Sequence, residues 1–332
     1  MIKKIRIITA LLLPLCLVIL CSCRAGVKSY SSFAMGSVLT VKLYTNGEKA
    51  EELYDEINAA IQTADESISA TKTGSDIEKI NSVGDAQVSQ FTIKAVEDCV
   101  MLCNTLNRLV DITMGSVTEL WGFSSDSPSV PDEDALAEAL SLVNIEGVLV
   151  DEDNMRISVE KGQRLDLGAF GKGIALDEAY YVLRNTEVPA LVTLGGTVMI
   201  YGDKERTVGI RNPDGGENDC AATVKLTPGA GKALFVSTSG DYEKCFTENS
   251  VTYHHILNPS DGMPVDTGLR SVTVIASAGI NADALSTYCF INGLNEDTLK
   301  MLKNFSASAV FIKSDGEIYI TDDISDAVEI LK

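Results

Sequence analysis

With 332 residues, 45% of them hydrophobic and 22% charged, the chain has the composition of a folded globular protein with room for a large core and no disordered bias. Its formal net charge of −20 repels nucleic-acid backbones and anionic headgroups, which excludes diffuse electrostatic attraction to a polyanion. An anionic ligand has to be met locally, by backbone amides, a lysine or a metal ion, and no nucleic-acid partner is expected.

Residues 1–22 read as an export signal. Lys3, Lys4 and Arg6 precede an apolar run over residues 7–20, too short for a comfortable membrane span, and Cys21-Ser22-Cys23 follows. The end of this run resembles a bacterial lipobox, which implies cleavage before Cys23, lipidation of that cysteine and a tether over residues 23–31. The expected location is therefore outside the cytoplasm, on the outer face of the cytoplasmic membrane or the periplasmic side of a membrane. Residues 32–332 read as one domain.

Within it, residues 30–44 alternate apolar and polar side chains as a strand broken near Met35-Gly36. A helix follows over residues 48–67 with Leu53, Ile57, Ile61 and Ala64 on one face. A loop over residues 69–81 leads into a short helix, and residues 92–109 carry an amphipathic stripe. Residues 111–123 hold the only tryptophan, Trp121; residues 124–132 are a loop rich in Ser, Asp and Pro; and a helix runs from Pro131 to Val143. Strands are expected near Val148 and Ile157.

Residues 165–198 are the stretch around which the chain is organised. An apolar strand ending at Asp166-Leu167 leads to a loop with three glycines and Lys172 over residues 168–173, then a helix over 174–184 and a second strand. Glycines let backbone N–H groups approach an anion, and the helix N-terminus behind them favours negative charge. The same pattern also reads as an ordinary strand-to-helix turn. Further strands are expected over residues 207–211, 221–226, 233–237, 270–277, 307–312 and 317–320, with helices over 281–292 and 296–305 and a terminal helix. Strands and helices interleave without a regular βαβ rhythm, so the fold class is α+β.

The two histidines, His254 and His255, are adjacent at an expected strand end. They point to opposite faces, so at most one serves a given pocket. Asp283 and Thr287, four apart at a helix start, present oxygens on one face to a hard cation, or read as a dipole-favoured Asp and an ordinary helical Thr. Ser237-Thr238-Ser239-Gly240-Asp241 is a hydroxyl-rich strand end suited to phosphate contacts or to a helix cap. Beyond the signal, five cysteines remain, Cys99, Cys103, Cys220, Cys245 and Cys289; an odd number without CxxC spacing gives neither a zinc site nor a disulfide framework.

Together, FAMGS (33–37), DITMGSVTELWGF (111–123), LDLGAFGKGIALDEA (165–179), TLGGTV (193–198), GIRNP (209–213), STSGDYEKCF (237–246), HHILNPSDGMPV (254–265) and SVTVIASAGINADALST (271–287) closely resemble the ApbE-type FAD:protein FMN transferases. The resemblance covers residues 32–292. It implies an ApbE-like α+β fold and a Mg2+-dependent enzyme that cleaves the pyrophosphate of FAD, attaches FMN to a Ser or Thr hydroxyl of a target protein and releases AMP. Asp283 and Thr287 would be side-chain ligands of Mg2+, and Ala169 would add its carbonyl. Met35, Trp121, Gly122, Phe123, Asp166, Lys172, Ser239, Gly240, Asp241 and His255 would surround FAD. His255 would be the general base. The acceptor would present a DGxSGAT-type segment, which this chain itself lacks. Where many relatives carry an aromatic residue, this chain has Thr71, and Phe170-Gly171 replaces the usual Ile-Ala. The missing ring keeps a second reading open, a Mg2+-dependent FAD pyrophosphatase; a third is a non-enzymatic FAD-binding lipoprotein.

Overall fold

A computed structural model describes residues 26–216 and 218–331. The signal, its apolar run and Cys23 lie outside the described residues. In chain order the elements are β1 (Lys28–Ala34), β2 (Ser37–Leu43), α1 (Glu48–Ile68), α2 (Asp76–Val83), β3 (Asp85–Gln87), α3 (Gln90–Thr105), α4 (Gly115–Trp121) and α5 (Glu133–Leu140). Then follow β4 (Leu149–Asp151), β5 (Arg156–Ser158), α6 (Gly171–Leu183), β6 (Ala190–Leu194), β7 (Thr197–Gly202), β8 (Arg206–Arg211), β9 (Cys220–Leu226) and β10 (Gly229–Gly240). The chain continues through β11 (Cys245–Glu248), β12 (Val251–His254), β13 (Leu269–Ala276), α7 (Gly279–Asn292), α8 (Glu296–Asn304), β14 (Ser308–Lys313), β15 (Ile318–Ile320) and β16 (Val328–Ile330).

An eight-stranded antiparallel sheet in the order β1-β2-β6-β7-β10-β13-β14-β15 divides the molecule. Because strand side chains alternate in direction, its central strands feed two cores. Met199, Phe235, Val272, Val274 and Phe311 join the main core on the helical face. Ile200, Val236 and Ile275 pack on the other face against Val224 and Leu226 of β9. There the small sheet β16-β9-β8 covers them. Burial on both faces explains the apolar stretches at residues 233–236 of β10, 272–276 of β13 (interrupted by Thr273) and 309–312 of β14. The α+β reading holds, with helices on one face and a second sheet on the other.

Helices α6 and α7 form the middle of the helical layer and are buried on most sides. Ile174, Ala175, Leu176, Ala179 and Leu183 of α6, and Ala282, Ala284, Leu285, Tyr288, Cys289 and Phe290 of α7, belong to the main core. Exposed α1 packs through the predicted face of Leu53, Ile57, Ile61 and Ala64. The break at Met35-Gly36 is a two-residue hairpin turn with both residues at positive φ, the geometry that suits the right-handed twist of strands.

Three expectations are corrected. Residues 165–167 join no sheet: Asp166 N–H donates to Ile112 O at 2.7 Å and a single bridge links Met114 to Arg164, so the segment is held against the start of α4. The helix expected to reach Leu109 ends at Thr105, where Asn107 and Arg108 turn the chain at φ 55° and 60°. The expected terminal helix is a 3₁₀ turn, Asp322–Ala327, followed by β16, which pairs with β9 and places Val328 against the small core. All five cysteines of the described residues are free.

Candidate active site

At one end of the large sheet the β1–β2 turn, the β6–β7 turn, the end of β10 and the N-termini of α6 and α7 meet. A Cβ on Gly195, in the β6–β7 turn, would lie 2.9 Å from Ser37 Oγ and 3.5 Å from Lys172 Cδ. The stem of Lys172 therefore lies across a bare backbone beside the hairpin turn that carries Met35. No hydrogen bond or ion pair involves the Lys172 ammonium among the described residues.

Asp283, 4% exposed, is the hub of this region. Its Oδ2 accepts from Gly173 N–H at 2.5 Å, and its Oδ1 accepts from Ser237 Oγ at 2.6 Å and Thr197 Oγ1 at 2.9 Å. A carboxylate has about four acceptor sites, so three protein donors leave room for about one further partner. One helical turn on, Ser239 Oγ lies 3.2 Å from Thr287 Oγ1 and 2.8 Å from Ser286 Oγ. On α7 a carboxylate and a hydroxyl thus stand on the side facing β10. Ala169, half-buried, stands in the loop that enters α6.

No group of three or more His, Cys, Asp or Glu converges anywhere among the described residues. A carboxylate with hydroxyl and carbonyl oxygens is nevertheless a hard donor set, and Mg2+ characteristically takes one or two carboxylates and completes its shell with water and substrate phosphate. The residues fit that ion and do not fit zinc.

The histidine pair divides cleanly. His254, in β12, donates Nε2–H to Val265 O at 3.0 Å, accepts Ile256 N–H on Nδ1 at 3.3 Å and meets Phe290 edge-on. Both nitrogens are committed, so it is a core residue. His255, just past the strand, donates its backbone N–H to Lys244 O at 3.0 Å, while its Nδ1 is buried without a partner. Burial, followed by the nearby charges of Lys244 and Lys172, pushes its pKa down to about 3. The imidazole is therefore neutral at neutral pH, the state a proton acceptor needs, and in this buried setting it is a weaker base than a free histidine.

Beside it, Trp121, Phe123, Phe246 and Tyr253 form an aromatic cluster that anchors the β11–β12 hairpin. Trp121 is fully buried, stacks on Phe123 at 5.5 Å and donates Nε1–H to Gly262 O at 2.8 Å. An indole with no exposed area touches no ligand in this conformation, so Trp121 backs Phe123, which is half-buried. Gly122 closes α4 at φ 64°. Asp166 folds its own loop, accepting from Gly168 N–H at 2.8 Å and Thr118 Oγ1 at 3.0 Å. Past Gly240, Asp241 is ion-paired through Oδ2 with Arg270 Nε at 2.7 Å, and its Oδ1 is buried without a partner. Thr71 is exposed in the loop after α1, where Lys72 pairs with Asp65 at 3.1 Å.

The model of the ApbE family matches residues 35–312. The chain belongs to the ApbE family. It is 31% identical over 344 residues to a Treponema pallidum protein named FAD:protein FMN transferase, covering 96% of this chain and 93% of that one. The ApbE protein of Thermotoga maritima superposes with a TM-score of 0.82 at 29% identity, over 91% of this chain and 99% of that one. The apo flavinyl transferase ApbE of Pseudomonas stutzeri gives 0.76 at 25% identity, over 91% and 96%.

Within this ApbE chain, Thr197 and Lys244 join the site without having been singled out in the sequence, and Ser237, read there as part of a hydroxyl-rich strand end, turns to Asp283 instead. Thr197 lies inside a motif but carries no charge, and only the pairing of β7 with β10 sets it opposite Ser237, facing Asp283. Lys244 was unmarked because its link to His255 runs through its own backbone carbonyl.

Proposed function

We propose that this chain is a Mg2+-dependent FAD:protein FMN transferase. The observation that carries the reading is the buried, unpartnered Nδ1 of His255, under the charge of Lys172, in a chain whose relatives bear that activity in their names. Asp283, Thr287 and the Ala169 carbonyl would hold Mg2+, which when bound neutralises charge on the pyrophosphate of FAD. Lys172 would add a fixed cation there, where phosphoryl transfer gains most from preorganised charge. His255 takes the proton of an acceptor Ser or Thr hydroxyl. That oxygen bonds to the FMN phosphorus, the bond to the bridging oxygen breaks, and AMP leaves with the electron pair. Met35, Phe123, Gly122, Asp166, Ser239, Gly240 and Asp241 would shape the FAD cleft, with Trp121 supporting Phe123 from behind.

The acceptor is an exported or membrane protein with a DGxSGAT-type segment. Cys23 is the lipid attachment point, and residues 23–31 the tether that keeps the domain beside its membrane targets. Among the described residues no helix is long and apolar enough to cross a membrane. Globomycin should block processing in cells; a mature form without lipid would refute the anchor.

A second reading, hydrolysis of FAD to FMN and AMP, is favoured by the exposed Thr71, which offers no ring for stacking. Incubation of the purified domain with FAD, Mg2+ and an acceptor carrying the segment separates the two. A flavin-fluorescent acceptor band on a denaturing gel together with AMP supports transfer, AMP without the band supports hydrolysis, and neither product leaves a flavin-binding protein.

A further inference from the structure

The sequence Gly-Ile-x-x-Asp occurs at the start of both buried helices, as Gly173-Ile174-Ala175-Leu176-Asp177 in α6 and Gly279-Ile280-Asn281-Ala282-Asp283 in α7. The two copies face each other. A Cβ on Gly173 would fall 2.1 Å from Gly279 O, and one on Gly279 would fall 2.2 Å from Gly173 O, so the helices touch backbone to backbone at this point. Neither helix has a side-chain N-cap of its own or an acidic residue in its first turn. Instead each caps the other. Asp283 of α7 accepts from Gly173 N–H of α6, and Asp177 of α6 accepts from Gly279 N–H through Oδ1 at 2.7 Å and from Ile280 N–H through Oδ2 at 2.9 Å. Burial lifts the Asp177 carboxyl to about 6, against the pull of those two backbone bonds, so it is ionised at neutral pH at some cost in desolvation.

We propose that Asp177 is a positioning residue for the metal site: by clasping the N-terminus of α7 it fixes Asp283 and Thr287 relative to the Ala169–Lys172 end of α6. A glycine–glycine contact alone is a pivot. Clasps on both sides of it stop rotation, and only one of them, Asp283, doubles as a metal ligand. When Asp283 turns part of its charge to the ion, the Asp177 clasp holds the register. The inference rests on the assignment of Asp283 and Thr287 to Mg2+.

Asp177→Asn tests it with a readout other than turnover. The amide keeps one acceptor oxygen but presents N–H to the second backbone N–H, loosening the α7 end while removing a buried charge. Mn2+ is titrated into protein and FAD without acceptor, with free Mn2+ followed by electron paramagnetic resonance. Outer-shell changes cost metal sites about ten-fold or more in affinity, and that loss is expected here with Tm within about 4 °C of wild type. Ser89→Ala, which removes a remote helix cap, serves as the control and should leave Mn2+ affinity unchanged. Unchanged affinity in Asp177→Asn overturns the proposal. Should that variant not fold, Asp177→Glu, which keeps the charge but displaces it, is read in the same way. A wild type that binds no Mn2+ refutes the metal assignment itself, and this proposal with it.

Discussion

Two sets of helices in this molecule solve the same problem differently. In α2, α3, α5 and α8 the free N–H groups of the first turn are met by the residue just before the helix. Ser75 accepts from Glu78 N–H at 3.0 Å, Ser89 from Thr92 N–H at 3.2 Å, Asp132 from Asp134 N–H at 3.1 Å and Asn295 from Thr298 N–H at 2.9 Å. In α6 and α7 the partner comes from the other helix, more than a hundred residues away in sequence. A local cap stabilises one helix end and leaves its position free. A crossed cap makes the two ends one unit, and that unit carries the residues assigned to metal and substrate.

Breaking the crossed side should have the largest effects. Asp283→Ala removes a proposed ligand, orphans Gly173 N–H and leaves the hydroxyls of Thr197 and Ser237 only their 3.4 Å contact with each other, at about 1–3 kcal/mol for each group left buried and unpaired. Transfer is expected to vanish and Tm to fall visibly in calorimetry; a variant with wild-type Tm would contradict the hub. Gly279→Ala drives a methyl into Gly173 O and is expected to cost at least about 1–3 kcal/mol in chemical denaturation, because the obstacle is backbone and cannot rotate away. If Gly279→Ala were as stable as wild type, the close contact would be wrong.

His255→Ala sharpens the comparison by separating chemistry from the frame. Transfer should drop about 10²–10⁴-fold with FAD affinity retained, as read by stopped-flow and fluorescence titration, and a near wild-type rate would remove His255 as the base. Its folded pKa of about 3 lies below the reference value of 6.5. Its contribution to stability is therefore complete above pH 6.5 and is lost as pH falls from 6.5 toward 3, so His255→Ala should flatten that part of the stability curve. The smallest effect is expected on the locally capped side. Ser89→Ala should lower stability by about 1 kcal/mol with no change in transfer rate.

The same contrast shows how much could be read from sequence. The amphipathic face of α1, the break at Met35-Gly36 and the α+β class follow from side-chain periodicity and glycine chemistry, which are local; that the break is a hairpin turn shows only in the pairing of β1 with β2. The site motifs followed from resemblance, and the structure brings Asp283, Thr287, Ser239, Lys172 and the end of β10 together. Trp121 was legible as an aromatic within a motif but not as a fully buried support, because burial is decided by Phe246 and Tyr253 from a hairpin more than a hundred residues downstream. Which histidine is free was equally hidden. Alternation said only that the two differ; the committed nitrogens of His254 depend on Val265 beyond the next turn. The end of the chain was misread as helix because the pairing of Val328 and Ile330 with β9 is a long-range event that outweighs local preference.

The account turns on whether His255 and a Mg2+-dependent α6–α7 unit move FMN onto protein. Mass spectrometry of a DGxSGAT acceptor after incubation with FAD and wild-type enzyme tests this directly, with parallel reactions in Mg2+ and in excess EDTA. The account predicts FMN esterified to the Ser or Thr of that segment, AMP in equal amount, and neither product in EDTA. An unmodified acceptor in Mg2+, or equal modification in EDTA, would contradict it.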